Sequence, residues 1–109
     1  MGSHRELLKG SLDILLLTLL EQAPMYGYQM VKDLRARSDA KLNIKEGSLY
    51  PALHRLEQAG LVEGFWQPRN DGVNRRYYRL TAQGRAVLPE GRAEWQEFML
   101  AVQGVLQHG

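Results

Sequence analysis

The chain has 109 residues, a formal net charge of +2 and no cysteine. That length fits one domain with a modest core, and the lack of cysteine excludes disulfides and thiolate chemistry, which suits a reducing cytoplasm. The most apolar run, Leu12–Leu20, is much shorter than the ~20 residues of a membrane span, and Met1–Lys9 lacks the order of a signal peptide, so we predict a cytoplasmic protein outside the membrane.

A first helix is predicted over Arg5–Gln22, ended by Ala23-Pro24. Leucines at three- and four-residue steps form its apolar stripe, namely Leu8, Leu12, Leu15, Leu16 and Leu19. Other leucines fill much of the opposite side, so the helix should be buried on more than one face. In so small a protein we expect another subunit to provide the second covering.

A second helix is predicted over Met25–Arg37. Glycine is unfavourable inside a helix, so either the helix starts at Gly27 or another group packs closely there. The polar link Ser38–Lys45 follows, with Leu42 and Ile44 expected to point inward.

The stretch Ile44–Val62 predicts a third helix, with Leu49, Leu53 and Leu56 on one apolar face. Pro51 has no amide hydrogen and fits near the first turn, which predicts a start near Gly47–Ser48 with Ser48 as the cap. Gly60 is the expected stop signal.

The opposite face of this third helix is polar, and it carries Ser48, Tyr50, Pro51, His54, Arg55 and Gln58. Such a helix could lie in a DNA major groove. A solvated amphipathic helix explains the stretch equally well when it is considered alone. Tyr50, in particular, could pack on the second helix or contact a base or phosphate.

A β-hairpin is predicted from Val62–Gln67 and Arg75–Leu80, which flank Asp71-Gly72. Alternation along the second strand turns Leu80 to the core and Arg75 and Arg79 outward, while Tyr77 could be core or contact phosphate. The segment Gly64–Arg92 holds six arginines and only two acidic residues, and arginine suits phosphate oxygens and base edges. Three helices and an arginine-bearing hairpin are the winged helix–turn–helix pattern.

A last helix should begin after Thr81, a plausible cap. Its later part carries an apolar stripe of Trp95, Phe98, Met99, Val102, Val105 and Leu106. No later element of this sequence covers the stripe, so we expect a partner to cover it. Pro89 and Gly91 predict a kink or break near Leu88.

Three strings together resemble the PadR family of transcriptional regulators: LLKGSLDILLLTLL followed by YGYQM, then GSLYPALHRLEQAGLVEG, and finally RRYYRLTAQG. The resemblance covers nearly the whole chain, and a single terminal helix is similar to the short branch of that family. It implies an α+β, mostly α fold, a winged helix–turn–helix with a C-terminal dimerisation helix. Residues 1–81 would then bind DNA and residues 82–109 would form the dimerisation helix.

The resemblance further implies a repressor that binds a pseudo-palindromic operator as a homodimer joined through its first and last helices. The predicted contacts with double-stranded DNA are Lys45, Gly47, Ser48, Tyr50, Pro51, His54, Arg55, Arg69, Asn74, Arg75, Arg76 and Tyr77. Some short members bind flat hydrophobic effectors at the dimer interface beside a tryptophan, which Trp95 matches. The predicted interface or effector-binding residues are Leu8, Leu12, Leu15, Trp95, Phe98, Met99, Val102 and Leu106, and Trp95 could equally be plain dimer core.

Two other functional classes fit the sequence less well. An enzyme is disfavoured because His4, His54 and His108 have no metal-ligand spacing and no phosphate loop or nucleophile elbow is present. We therefore predict no catalytic residue, metal or cofactor. A winged-helix module that binds protein or RNA would keep the core leucines but would not need the basic and hydroxyl-bearing side chains on one side.

Overall fold

The computed structural model describes residues 4–68 and 71–107, with side chains described from Ser11 onward. Its elements are α1 (His4–Leu20), β1 (Met25–Tyr26), α2 (Gly27–Arg37), α3 (Glu46–Gln58), β2 (Val62–Pro68), β3 (Asn74–Leu80) and α4 (Ala82–Gln107). Three helices, a hairpin and a long terminal helix confirm the predicted winged helix–turn–helix. Two predicted site residues, Arg69 and the side chain of Leu8, lie outside the described part of the chain.

The core is built around α1, which contacts α2, α3, α4 and β3. Its leucines at 12, 16, 17, 19 and 20 are all buried within this one chain. The expectation that a second subunit must cover their second side is therefore wrong for these five residues, because α4 folds back along α1. From Ser11 to Leu20, where the side chains of α1 are described, Ile14 and Leu15 are the apolar residues that remain half-exposed.

The sheet has the order β1-β3-β2, with every pairing antiparallel. Within the hairpin Val62 lies opposite Leu80 and Trp66 lies opposite Arg76. The short strand β1 was predicted as the start of the second helix. Two residues carry no periodicity of their own, and their extended form depends on pairing with the open edge of β3, which only the tertiary fold supplies.

Helix α2 begins at Gly27, and Tyr50 of α3 also packs against that glycine. A β-carbon added to Gly27 would lie 2.5 Å from the Tyr50 hydroxyl oxygen. Both alternatives predicted for Gly27 therefore hold: the helix starts there, and another group packs closely against it. The predicted inward anchor Leu42 is wrong, since its side chain is exposed, whereas Ile44 packs against the core.

Helix α3 starts earlier than predicted, at Glu46, with Lys45 as the residue before it and no side-chain cap. Ser48 is already inside the first turn, where its amide donates to the Lys45 carbonyl at 2.9 Å, so the predicted cap is wrong. Pro51 lies one turn later and is exposed, so solvent can reach the carbonyl that loses its partner. Gly60, with φ of +77°, confirms the predicted stop.

Helix α4 is capped by Thr81, as predicted. The Thr81 hydroxyl accepts from the Gly84 amide at 3.0 Å and donates to the Gly60 carbonyl at 2.5 Å. The helix then runs without interruption through Pro89, so of the predicted kink or break near Leu88 the break is wrong. Leu88 is buried and Gly91 admits the Ile14 side chain, so packing on both sides of the proline holds the helix in place.

Candidate nucleic-acid interface

One face of α3 is free of the core and polar. Leu49, Leu53 and Leu56 are buried on the opposite face, which leaves Ser48, Pro51 and His54 exposed. At the start of the helix Lys45, Glu46 and Gly47 are exposed as well. This surface is the part of α3 that can approach a ligand, and its free groups include hydroxyl and imidazole groups that can read base edges.

A groove of about 420 Å³ runs between α3 and the hairpin. Its lining residues are Tyr26, Gly27, Tyr50, Trp66, Asn74, Arg75, Arg76 and Tyr78. The structure therefore brings together Tyr50 from α3 with Asn74, Arg75 and Arg76 from β3, all of which the sequence singled out separately. Arginines beside a helix that presents polar groups are the combination that duplex DNA contacts require.

The sequence analysis did not select four lining residues of this groove, Tyr26, Gly27, Tyr78 and Trp66, and the most exposed of these is Trp66. Its side chain is 63% exposed, and it lies opposite Arg76 in the hairpin. Strand alternation could have indicated this residue. It places Trp66 on the same face of β2 as Val62 and Gly64, where Trp66 is the aromatic side chain.

Tyr50 is held at the edge of the groove by its contact with Gly27. Partial burial raises the pKa of the Tyr50 phenol above its ordinary value, with smaller contributions from the Glu46 carboxylate and from Tyr78. The hydroxyl therefore stays protonated around neutral pH, so it can donate a hydrogen bond to a phosphate oxygen or a base acceptor.

The arginines of α3 and β3 differ in what they contact. Arg75 lies over the Tyr26 ring at 4.8 Å and has no carboxylate partner among the described residues. The other three arginines are each paired with a carboxylate. Arg79 donates from Nε to Glu63 Oε1 at 2.6 Å, and Arg76 donates from Nη2 to Glu57 Oε2 at 3.0 Å. Arg55 donates from Nη2 to Asp13 Oδ1 at 2.9 Å. Of these four arginines, Arg75 is therefore the one whose guanidinium is not paired with a carboxylate of the described residues.

Tyr77 lies among aromatic rings on the side of the sheet turned away from Leu80. Its ring stacks on Phe65 at 5.8 Å and meets Tyr26 edge-on at 5.3 Å. The side chain is half-buried, so the ring packs within the sheet surface while part of it remains accessible.

The apolar stripe of α4 forms a second, chemically different surface. Phe98, Met99 and Val102 are 45%, 54% and 40% exposed, and Leu106 is 74% exposed. Trp95 is half-buried and meets the Phe98 ring edge-on at 5.6 Å. Of the α1 residues predicted for this interface, Leu12 belongs to the core and Leu15 is half-exposed.

In the part of the chain that the structure describes, no group of histidine and acidic side chains is placed to hold a metal ion. No helix there is both long and apolar enough to cross a membrane.

Comparisons with known proteins identify the family. Residues 16–90 match the transcriptional regulator PadR-like family. A transcriptional regulator of Mycobacterium tuberculosis is 45% identical over 65 residues, which is 60% of each chain. The structure of a transcriptional regulator from Clostridium thermocellum is similar with a TM-score of 0.81 and 29% identity, covering 91% of this chain and 96% of that one.

A PadR family regulator from Eggerthella lenta gives a TM-score of 0.75 at 36% identity, covering 95% of this chain and 88% of its own. The family and these similar proteins are transcriptional regulators and not enzymes. The exposed face of α3, the arginines of β3 and these similarities together establish that the chain belongs to the PadR-like family of transcriptional regulators, which bind DNA.

Proposed function

We propose that this protein is a repressor that binds a pseudo-palindromic operator as a homodimer. The observation that carries the proposal is the groove between α3 and the hairpin, which is lined by Tyr50 on one side and by Asn74 and Arg75 on the other. Residues 1–81 would bind the duplex, and residues 82–109 would join the two subunits.

In this proposal α3 is the recognition helix. Ser48 and His54 lie on its exposed face, where they can meet base edges in the major groove. Arg75 would contact the phosphate backbone, which fixes the register without carrying sequence information. Arg55 would first have to leave Asp13, so we place the base-reading role mainly on the side chains nearer the start of α3.

The homodimer follows from the uncovered stripe of α4. Five of its large apolar side chains are each at least 40% exposed, and a second copy offers the same stripe across a two-fold axis. Two recognition helices related by that axis would reach half-sites about one helical turn apart, roughly 34 Å along the duplex.

The test begins with selection of an operator from random duplexes. With ~6–8 phosphate contacts per dimer, log K should fall with log salt at a slope of roughly −5 to −7. Arg75→Ala should weaken binding to every sequence and flatten this slope by about 2, because each dimer loses two contacts. His54→Ala is the control, since it should alter sequence preference and leave the slope unchanged. Binding that does not depend on salt would contradict the phosphate contacts.

A planar, apolar effector that releases the operator is a second part of the proposal. It is favoured by the half-buried Trp95 beside the exposed Phe98 and Met99, because planar ligands stack on indoles and methionine adapts to different shapes. Titration of planar dyes into the Trp66→Phe variant would report on Trp95 alone. We expect quenching, and by reciprocity operator DNA should weaken the dye by the factor by which dye weakens DNA. A bound dye that leaves operator affinity unchanged would rule out the effector role.

A further inference from the structure

Arg76 reaches from β3 to the proposed recognition helix α3. Its Nη2 donates to Glu57 Oε2 at 3.0 Å. The same carboxylate oxygen accepts from the Gly64 amide at 3.1 Å. Since Gly64 lies on β2 and Arg76 on β3, one oxygen of Glu57 joins α3 to both strands of the hairpin.

The path of Arg76 depends on Gly64. A β-carbon at position 64 would lie 2.5 Å from Arg76 Nη2 and 2.7 Å from its Cζ, so the guanidinium occupies the space that a side chain would fill. The ring centres of Trp66 and Tyr78 each lie 5.7 Å from Cζ. The guanidinium is therefore held by a carboxylate, a glycine and two aromatic rings.

The hairpin contains a second pair of the same chemistry, which serves as a comparison. Arg79 donates from Nε to Glu63 Oε1 at 2.6 Å, and these two residues lie opposite each other on β3 and β2. Both side chains are about half exposed, whereas Glu57 and Arg76 are about one third exposed. The Glu63–Arg79 pair joins strand to strand and leaves the position of α3 unaffected.

We propose that Glu57 and Arg76 form a tie that sets the position of the hairpin against the recognition helix, so that Arg76 is a positioning residue for operator binding and not a phosphate ligand. The inference rests on the proposed DNA-binding function. A duplex has to meet α3 and Arg75 at once, and their separation depends on how the hairpin is held. The tie between Glu57 and Arg76 fixes this separation at the end of the hairpin nearest α3.

Glu57→Gln gives the sharpest test. Removing a negative charge beside a DNA-binding surface should by charge alone strengthen binding, because it lessens repulsion of the phosphates. If the Glu57–Arg76 pair positions the hairpin, we expect the opposite result, because residues that act in one network depend on each other. The Glu57→Gln variant should bind the selected duplex about tenfold more weakly than the wild type. The salt slope should stay unchanged because no phosphate contact is lost.

Gly64→Ala tests the same tie without any change of charge. The added methyl group should displace the end of the Arg76 side chain, which is flexible, while the backbone of position 64 has an ordinary conformation and keeps its fold. We expect a similar loss of affinity, and the double variant with Glu57→Gln should lose little more, because both changes break one interaction. Thermal unfolding of each variant should show that the fold persists.

Glu63→Gln is the matched control and should not weaken DNA binding. In a Trp95→Phe background, Glu57→Gln should also shift the emission of Trp66, because the guanidinium leaves the indole. The inference is overturned if Glu57→Gln binds the duplex as tightly as the wild type or more tightly, or if Arg76→Ala flattens the salt slope by about 2, as two lost phosphate contacts would. A wild-type protein that selects no duplex would instead remove the proposed function and this inference with it.

Discussion

The two halves of α4 have opposite relations to the rest of the chain. In the first half Leu88 is 1% exposed, Gly84 lies against the carbonyl of Leu61 and Gly91 lies against Ile14. In the second half the large apolar side chains at 98, 99, 100, 102, 105 and 106 are all between 40% and 74% exposed. One continuous helix thus contains a half that is packed by its own chain and a half that is not.

The packed half of α4 also forms hydrogen bonds with Glu21, which follows the end of α1. Arg92 Nη2 donates to Glu21 Oε1 at 2.7 Å, and Arg85 Nη1 donates to the Glu21 carbonyl at 3.3 Å. These contacts fix the direction in which the second half extends. The free half can then gain about 25 cal/mol for each Å² of apolar surface that a partner covers, whereas the polar face of α3 is stable in water without a partner.

The largest expected effect concerns the free half. Replacing Phe98 and Val102 together by Asp should place uncompensated charges in the proposed dimer interface and cost several kcal/mol. Light scattering should then show monomers or unfolded chains. Gln96→Asp, on the same half but outside the stripe, should leave the dimer intact. A well-folded monomer of the unmodified protein at micromolar concentration would contradict the proposed dimer.

The next effect contrasts two glycines of α4. A β-carbon at Gly84 would overlap the Leu61 carbonyl oxygen, whereas one at Gly104 would meet no atom within 4 Å. Gly84→Ala should lower the free energy of unfolding by about 1–3 kcal/mol through overpacking. Gly104→Ala should raise it by about 0.5–1 kcal/mol, because alanine suits a helix interior better. Urea denaturation measures both, and equal effects would show that the two halves are packed alike.

The start of the packed half provides a smaller effect. Thr81→Ala removes the hydroxyl that accepts from the Gly84 amide and should cost about 1 kcal/mol, the usual value for an N-cap. Ser48→Ala, at a position where the structure shows no cap, should leave the free energy of unfolding almost unchanged. A loss from Ser48→Ala as large as that from Thr81→Ala would contradict this placement of the caps.

The smallest effect is expected at the Glu21–Arg92 pair, whose side chains are 42% and 36% exposed. Solvent screens such a pair, so Arg92→Ala should cost less than about 1 kcal/mol. The cost should shrink further in 1 M salt, where the screening length falls to about 3 Å. A loss of stability that does not respond to salt would mean that packing of the Arg92 stem matters more than its charge.

Much of the fold could be predicted from the sequence because the signals are local. The leucine steps of α1 and α3, the Asp71-Gly72 turn and the Thr81 cap each act within a few residues of chain. The apolar stripe of α4 was also predictable, since its spacing places the residues on one face whatever else the chain does.

The tertiary structure alone decided which basic residues are free. Arg55 pairs with Asp13 across 42 positions of sequence and Arg76 pairs with Glu57 across 19, so composition alone could not separate them from Arg75. The same holds for β1 and for the continuity of α4 through Pro89. Each depends on a neighbour brought close by the crossing of helices or the edge of a strand, and local periodicity does not encode those distances.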